Sequence, residues 1–358
     1  MTRANTPDLV GDVCVVESTR PRLVLCDLVY RLGIDLSRCD RKFLAYWFLS
    51  TPGRSQIEAD ARGTSQSMVK VAQGHIRSWI VPCPPRATQQ AIAAFLDRQT
   101  AAIDELIEKK ERLIDLLQEK RQALITQAVT KGLDPRAPMK ESGVDWIGEI
   151  PAHWNVFPTK LLGWYRGGAG FPDDEQGRQG LPLPFYKVRD LGEVAAGEQA
   201  LTDSDHSIDY QTARRLHATV FPPGTIVFAK VGAALLLGRF RTLSHPSCID
   251  NNMMGWVLAP RRMTIPYAVH ATVLFRFDLI VNPGAVPSLN GSMFGRQPLP
   301  VPPIDEQLQI VAHMHDELHR LDGIARCVDA QVAKLREYRQ ALISAAVTGQ
   351  LDVSKEAA

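Results

Sequence analysis

The chain has 358 residues, 45% of them hydrophobic and 22% charged, with a formal net charge of +2. That length suggests two or three ordinary globular domains, and no apolar run approaches the ~18 residues needed to span a bilayer. The six cysteines (Cys14, Cys26, Cys39, Cys83, Cys248 and Cys327) include no CxxC pair, and the N-terminus lacks a basic-then-apolar signal, so a reducing cytoplasm is the expected compartment.

In chain order, Val10 to Val16 and Leu23 to Tyr30 are rich in Val, Leu and Cys and read as strands. Asp40 to Leu49 reads as a short helix carrying Phe43, Trp47 and Phe48, and Ser55 to Ala61 as another. A polar loop, Gly63 to Met68, follows, and Trp79 to Val81 leads into the break at Pro84-Pro85. Apolar residues then recur at helical spacing from about Ala87 to Thr130, which predicts one long helix. Glu105–Lys109 and Glu108–Arg112 are favourable i,i+4 pairs on its exposed side. Residues 132 to 158, with Pro135, Pro138, Pro151 and Pro158, read as a linker. Beyond it, Phe185–Val188, Thr225–Lys230 and Met254–Leu258 are strand candidates, and Tyr210–Leu216 and Tyr267–Phe277 helix candidates.

A second Pro-Pro, Pro302-Pro303, opens a second long helical stretch that repeats the first. The two copies align without a gap, Pro84 on Pro302 and Arg121 on Arg339. Arg-Gln-Ala-Leu-Ile recurs at 121–125 and 339–343, Ala-Val-Thr at 128–130 and 346–348, Leu-Asp at 133–134 and 351–352. Gln89, Ile92 and Asp104 recur as Gln307, Ile310 and Asp322. A period this wide excludes a solenoid and points to two similar units, each a globular part followed by a long helix. Ile103, Ile107, Ile114, Leu117 and Leu124 follow a 4-3 alternation, interrupted by Lys110 and Arg121. Leu321, Val328, Val332, Leu335 and Leu342 form the matching stripe of the second copy. Two such helices are expected to pack antiparallel along this seam, hiding surface that neither hides alone.

Charge is uneven. Between residues 210 and 304 stand nine basic residues (Arg214, Arg215, Lys230, Arg239, Arg241, Arg261, Arg262, Arg276, Arg296) against two acidic ones (Asp250, Asp278). A basic domain on a near-neutral chain is the footprint of phosphate binding; the plain alternative is an Arg-rich solvated face. Asn251, Asn252, Asn290 and Arg296 are of types that read base edges. Catalytic constellations fail one by one. There is no GxxxxGK[ST] loop, no dinucleotide-type glycine fingerprint, and no Asp/Asn-Pro-Pro-aromatic motif of the amino-methyltransferases. His315 and His319 stand at zinc-helix spacing, but Glu317 is misplaced and no third ligand is evident, so no metal site is expected. Pro172-Asp-Asp-Glu175 reads as an acidic loop. No catalytic residue is assigned.

With these residues in view, the chain resembles the specificity (S) subunits of type I restriction-modification systems. The two Pro-Pro-to-helix blocks carry the resemblance, above all Pro302-Pro-Ile-Asp-Glu-Gln307. Val144-Asp-Trp-Ile-Gly-Glu-Ile-Pro-x-His-Trp154 resembles the opening of a target-recognition domain, and Gly224-Thr-Ile-Val-Phe-Ala-Lys230 through Asn252 its middle. The resemblance implies an α+β fold: two target-recognition domains separated by two long antiparallel coiled-coil helices. It implies double-stranded DNA as partner, read as a bipartite site, together with two methylating subunits and, where present, restriction subunits. It implies no cofactor on this chain, S-adenosylmethionine, ATP and Mg being used by those partners, no catalysis of its own and no membrane association. Lys187, Arg189, Lys230, Arg239, Arg241, Asn251, Asn252 and Arg296 are the DNA contacts expected on this reading.

The expected organisation is an incomplete first recognition domain (1–83), a long helix (84–134), a linker (135–158), a second recognition domain (159–301), a second long helix (302–352) and a tail (353–358). The stretch before Pro84 matches only the later part of a recognition domain, Gly11-Asp-Val13 aligning with Gly224-Thr-Ile226. Two alternatives stay open: a truncated remnant that binds the methylating subunit without reading DNA, and an undetected nuclease or methyltransferase.

Overall fold

The computed structural model describes residues 1–65, 68–194, 199–280 and 286–353. The fold is mixed α+β and divides into two units, Met1–Asp115 with Arg326–Ala358, and Leu116–Ala325. Each contains a globular part and one stretch from each of two long helices, Arg86–Lys131 and Ile304–Val347. Both helices start directly after a Pro-Pro pair, where the missing proline N–H groups would have found no helical partner anyway. Asp305 and Glu306 in the first turn of the second helix suit the positive end of its dipole. Gly132 and Gly349, at φ +70° and +74°, lie just past the two C-termini.

In the first unit the paired stretches run antiparallel. Ile103, Ile107, Val328, Val332 and Leu342 are buried, and Ile114 and Leu335 are half-buried. Arg339 grips Asp104 with two bonds of 2.8 and 3.2 Å, Arg336 reaches Glu111 at 2.6 Å, and Lys110 donates to Gln331 at 2.6 Å. In the second unit Leu321 is buried, Leu117 and Leu124 are half-buried, and Arg121 pairs with Asp322 at 2.5 Å. The two polar residues that interrupt the stripe, Lys110 and Arg121, are therefore cross-helix hydrogen-bonding positions. Arg121–Asp322 and Arg339–Asp104 join the same two repeat positions with the helices exchanged, as an antiparallel repeat requires.

The globular part of the first unit is small. Helices Arg41–Leu49 and Thr51–Asp60 follow each other directly: Asp40 caps the first by accepting from the Lys42 and Phe43 N–H groups, and Ser50 caps the second. Phe43, Trp47, Phe48 and Ile57 pack with Ile92, Phe95, Leu96, Ile343 and Val347 of the long helices. A three-stranded antiparallel sheet orders Ala4–Asn5, Met68–Lys70 and Arg62–Ser65; the polar loop expected at 63–68 thus carries strand at both ends, with 66–67 outside the described residues. The strands expected at Val10–Val16 and Leu23–Tyr30 do not form. Apart from an isolated bridge from Val29 to Thr2, these segments enter no strand ladder among the described residues, and Val16, Leu23, Val24 and Leu25 are exposed. A β-rich composition yields a strand only where a partner supplies the ladder.

In the second unit a five-stranded sheet has the order Gly163–Gly167, Met253–Leu258, Ile226–Ala229, Phe240–Leu243, Ala200–Leu201. A smaller sheet holds Ser207–Ile208, Leu183–Tyr186 and Cys248–Ile249. Alternation along Ile226–Ala229 sends Ile226 and Phe228 into a core shared with helix Ile265–Ala271 and the long helices, and Val227 and Ala229 into a second core with Tyr186, Phe221 and Ile249. Residues 132–158, read as a linker, belong to the first of these cores. Asn155–Pro158 pairs with Pro298–Val301, Met139–Glu141 with Glu149–Pro151, and Ile147, Ile150 and Trp154 are buried. The Trp154 indole donates to Glu306 at the start of the second long helix (3.0 Å), which also meets His153 at 2.7 Å.

Candidate nucleic-acid interface

Register decides which of the polar residues meet. Ile226–Ala229 runs antiparallel to both of its neighbours, so its C-terminal end lies beside the start of Phe240–Leu243 (Phe228 opposite Phe240), the start of Met253–Leu258 (Ala229 opposite Met253) and, one strand further, the end of Gly163–Gly167 (Met254 opposite Gly167). Lys230, Arg239, Asn251 and Asn252 flank these strand ends and are thereby gathered at one end of the sheet. The Lys230 N–H donates to Asn252 O at 2.8 Å, and Asn251 and Asn252 are exposed in the turn between Ile249 and Met253. The smaller sheet delivers its own strand end to the same place, because Ile249 pairs with Tyr186 and the Asp250 N–H donates to Tyr186 O. Lys187 and Arg189 follow immediately.

Two glycines let the cations lie close over the backbone. A Cβ at Gly167 would fall 2.7 Å from Lys230 Nζ, and one at Gly192 would fall 2.5 Å from Arg239 Nη1. Arg241, two residues further along the chain, is half-buried. Its Nη1 donates to Phe240 O at 3.0 Å, and its Nε has no hydrogen-bond partner. Burial, and then the neighbouring Arg239 charge, lower the Arg241 pKa below its ordinary value. Lys230, Arg239 and Arg241 have no carboxylate within salt-bridge distance among the described residues. An exposed Arg239 beside a half-buried Arg241, with no counter-ion for either among the described residues, makes an anion-seeking surface.

The other expected contacts differ. Arg189 is held by Asp205 and, at 3.4 Å, by Asp190. Lys187 donates to Gln176 at 2.8 Å and lies 6.0 Å from the centre of the Phe171 ring. Arg296 stands apart, at the far end of the short helix Gly291–Gly295, bonded to Ser292 at 3.1 Å. The local excess of positive charge is also smaller than the composition implies. Arg276 pairs with Asp278, Arg215 with the buried Glu175, and Arg262 lies over Phe157. Composition alone misses Arg166, exposed on the edge strand opposite Gly255 and upstream of the basic stretch 210–304. Among the described residues no three His, Cys, Asp or Glu side chains converge as metal ligands; His315 and His319 are exposed, their rings 6.3 Å apart. No described helix is long and apolar enough to cross a membrane.

Comparison with known proteins follows the same line. No family model matches the chain. Over 322 residues it is 21% identical to the type I restriction enzyme EcoKI specificity subunit of Escherichia coli K12, which takes in 86% of this chain and 65% of that protein. Over 106 residues it is 26% identical to the EcoEI specificity subunit of Escherichia coli, covering 30% of this chain and 18% of that one. The chain thus spans less than two thirds of either relative. Among solved structures it is similar, with a TM-score of 0.69 at 15% identity, to a chain of a structure described as the structural basis of complex assembly and conformational transition of the type I R-M system, over 88% of this chain and 73% of that one. It is similar at a TM-score of 0.50 and 17% identity to the HsdS subunit from Thermoanaerobacter tengcongensis, over 88% and 72%. The resemblance read from the two repeat blocks is borne out in both comparisons, and the fold is that of an HsdS subunit.

Proposed function

We propose that this chain is a DNA-specificity subunit of a type I restriction-modification assembly. Its second unit reads one part of a bipartite duplex site, and the chain docks two methylating subunits and, where present, restriction subunits. Lys230, Arg239 and Arg241 set the protein on the phosphates, and Asn251 and Asn252, in the adjoining turn, face base edges. The observation that carries this reading is a cation cluster at one sheet end that has no counter-ions among the described residues, on a fold similar to that of named specificity subunits. Methyl transfer and DNA cleavage are left to the partners, with S-adenosylmethionine, ATP and Mg bound there.

The first unit favours a second reading of its own half. Its segments 10–16 and 23–30 build no comparable sheet end among the described residues, so its share of the site is reduced or absent. The test is a map of methylated adenines on a plasmid co-expressed with this chain and its cognate methylating subunit. A bipartite motif means that both units read DNA. A single half-site or a symmetric motif means that only the second does. DNA turnover by the purified chain alone would overturn the proposal.

A further inference from the structure

We propose that Cys39 and Cys83 are a redox-active thiol pair that closes to a disulfide, pinning the loop before helix Arg41–Leu49 to the start of the first long helix. The geometry comes from Gln89, whose fully buried side chain ties three backbone groups together. Its Oε1 accepts from the Asp40 N–H at 2.8 Å, and its Nε2 donates to Arg38 O at 3.0 Å and Pro84 O at 2.8 Å. Cys39 lies between the first two of these residues, and Cys83 directly precedes the third. Cys83 Sγ is 3.4 Å from Arg38 O, on the carbonyl bonded to the Cys39 nitrogen, and Gln89 Nε2 is 3.7 Å from Cys83 Sγ. Cys39 Sγ is turned to Asp40 O at 3.7 Å. A disulfide needs two Cα atoms about 4.4–6.8 Å apart; the Cys83 Sγ on the carbonyl of the residue before Cys39 sets the two cysteines side by side.

The second unit has the same joint without the thiols. Gln307 is also fully buried, accepts from the Thr264 N–H and donates to Arg262 O and Pro302 O. The positions that match Cys39 and Cys83 hold Met263 and Val301, both buried in one apolar core. Thiols at both places are therefore no requirement of the joint.

The chemistry balances with a small-molecule disulfide as oxidant. Cys83, exposed, attacks as thiolate and releases one thiol of glutathione disulfide, leaving a mixed disulfide at Cys83. The Cys39 thiol, held above its ordinary pKa by burial and then by Cys83 and Asp40, loses its proton to solvent and displaces the second glutathione thiol. Two protein thiols are oxidised by two electrons, and one glutathione disulfide is reduced to two thiols.

The experiment treats the full chain with graded ratios of oxidised to reduced glutathione, blocks residual thiols with iodoacetamide and maps tryptic peptides. Cleavage after Arg38, Arg41, Arg77 and Arg86 isolates residues 39–41 and 78–86. The expected product is these two peptides linked, with two of the six thiols lost to titration, while Cys14, Cys26 and Cys327 remain reduced and unlinked. In C39S, Cys83 should stop at the glutathione adduct. Glutathione adducts at Cys83 in the unmodified chain with no 39–83 link would overturn the proposal. So would links scattered over the other exposed cysteines.

Discussion

Arg239 and Arg241 offer a clean perturbation of the candidate interface, because neither neutralises a carboxylate among the described residues. Replacing both with Gln removes two charges and strands no counter-ion, and the long polar stem keeps most of the packing. Arg241 gives up one bond to Phe240 O, while relief of its repulsion with Arg239 acts in the opposite direction. Folding stability should therefore stay nearly level. DNA binding should not. Each phosphate contact contributes about 0.9 to the slope of log K against log salt, so the double variant should show a slope shallower by about 1.8. Across a fourfold rise in salt, from about 50 to about 200 mM, the wild-type chain should then lose about twelvefold more affinity than the variant. Fluorescence anisotropy with a duplex oligonucleotide over a salt series reads this directly. Arg276→Gln is the control: Arg276 is already bound by Asp278 at 2.6 and 2.9 Å, and its slope should match wild type. Equal slopes for R239Q/R241Q and wild type would refute the assignment of these two side chains to phosphates.

Three further outcomes follow from the packing. Gln307→Met fills the same space but leaves one N–H and two carbonyls of the second joint without their partner, and should cost about 2–5 kcal/mol in urea denaturation; a loss below about 1 kcal/mol would mean that water replaces the amide. His270, half-buried, is pushed down to about 4 by burial and then by the Arg121 charge. The folded chain therefore binds fewer protons than the unfolded one between about pH 6.5 and 4, so stability falls as pH drops through that window, by about 3 kcal/mol in full. His270→Gln should flatten that part of the pH–stability curve, and an unchanged curve would exclude His270 as the cause. Along the helix pair, Leu321→Ala should cost about 2–4 kcal/mol because Leu321 is buried, whereas Arg339→Met, which removes a partly exposed ion pair with Asp104, should cost no more than about 1 kcal/mol; the reverse order in thermal melts would show that ion pairs, and not the seam, hold the helices together.

The elements that show plainly in the sequence are those whose signal is local. Helical spacing and Pro-Pro pairs mark the starts of both long helices to within a residue or two, and runs of apolar residues mark Ile226–Ala229 and Met253–Leu258. Where the outcome depends on a distant partner, composition misleads. Val10–Val16 has the residues of a strand but no ladder, and 132–158 has the prolines of a linker but buries Ile150 and Trp154. The candidate interface lies between these cases. Residue types alone mark Lys230, Arg239 and Asn252, but only the register shows that they share one sheet end. Only the fold shows that Asp205 already holds Arg189, while Arg239 has no carboxylate partner among the described residues.

The repeat itself reaches further in space than along the chain. In the sequence its ungapped part begins at Pro84 and Pro302. Yet Gln89 and Gln307 hold partners upstream of that point: Arg38 O and Asp40 N in one unit, Arg262 O and Thr264 N in the other. The stretch from Arg38 to Pro84 is longer than the one from Arg262 to Pro302, so the two copies fall out of register between the docked helix and the Pro-Pro pair. The residues after the docked helix can vary in length because they lie outside the joint. The joint cannot, because a single amide must reach three backbone groups, and a buried carbonyl or N–H left alone costs about 1–3 kcal/mol. A glutamine recurring just inside a Pro-Pro helix start is thus the mark of a docking joint, and it explains why this position stays identical in two copies whose globular parts have otherwise diverged. The long helices and the joints are the part held in common, and the sheet end with its cations is what one copy has built upon them.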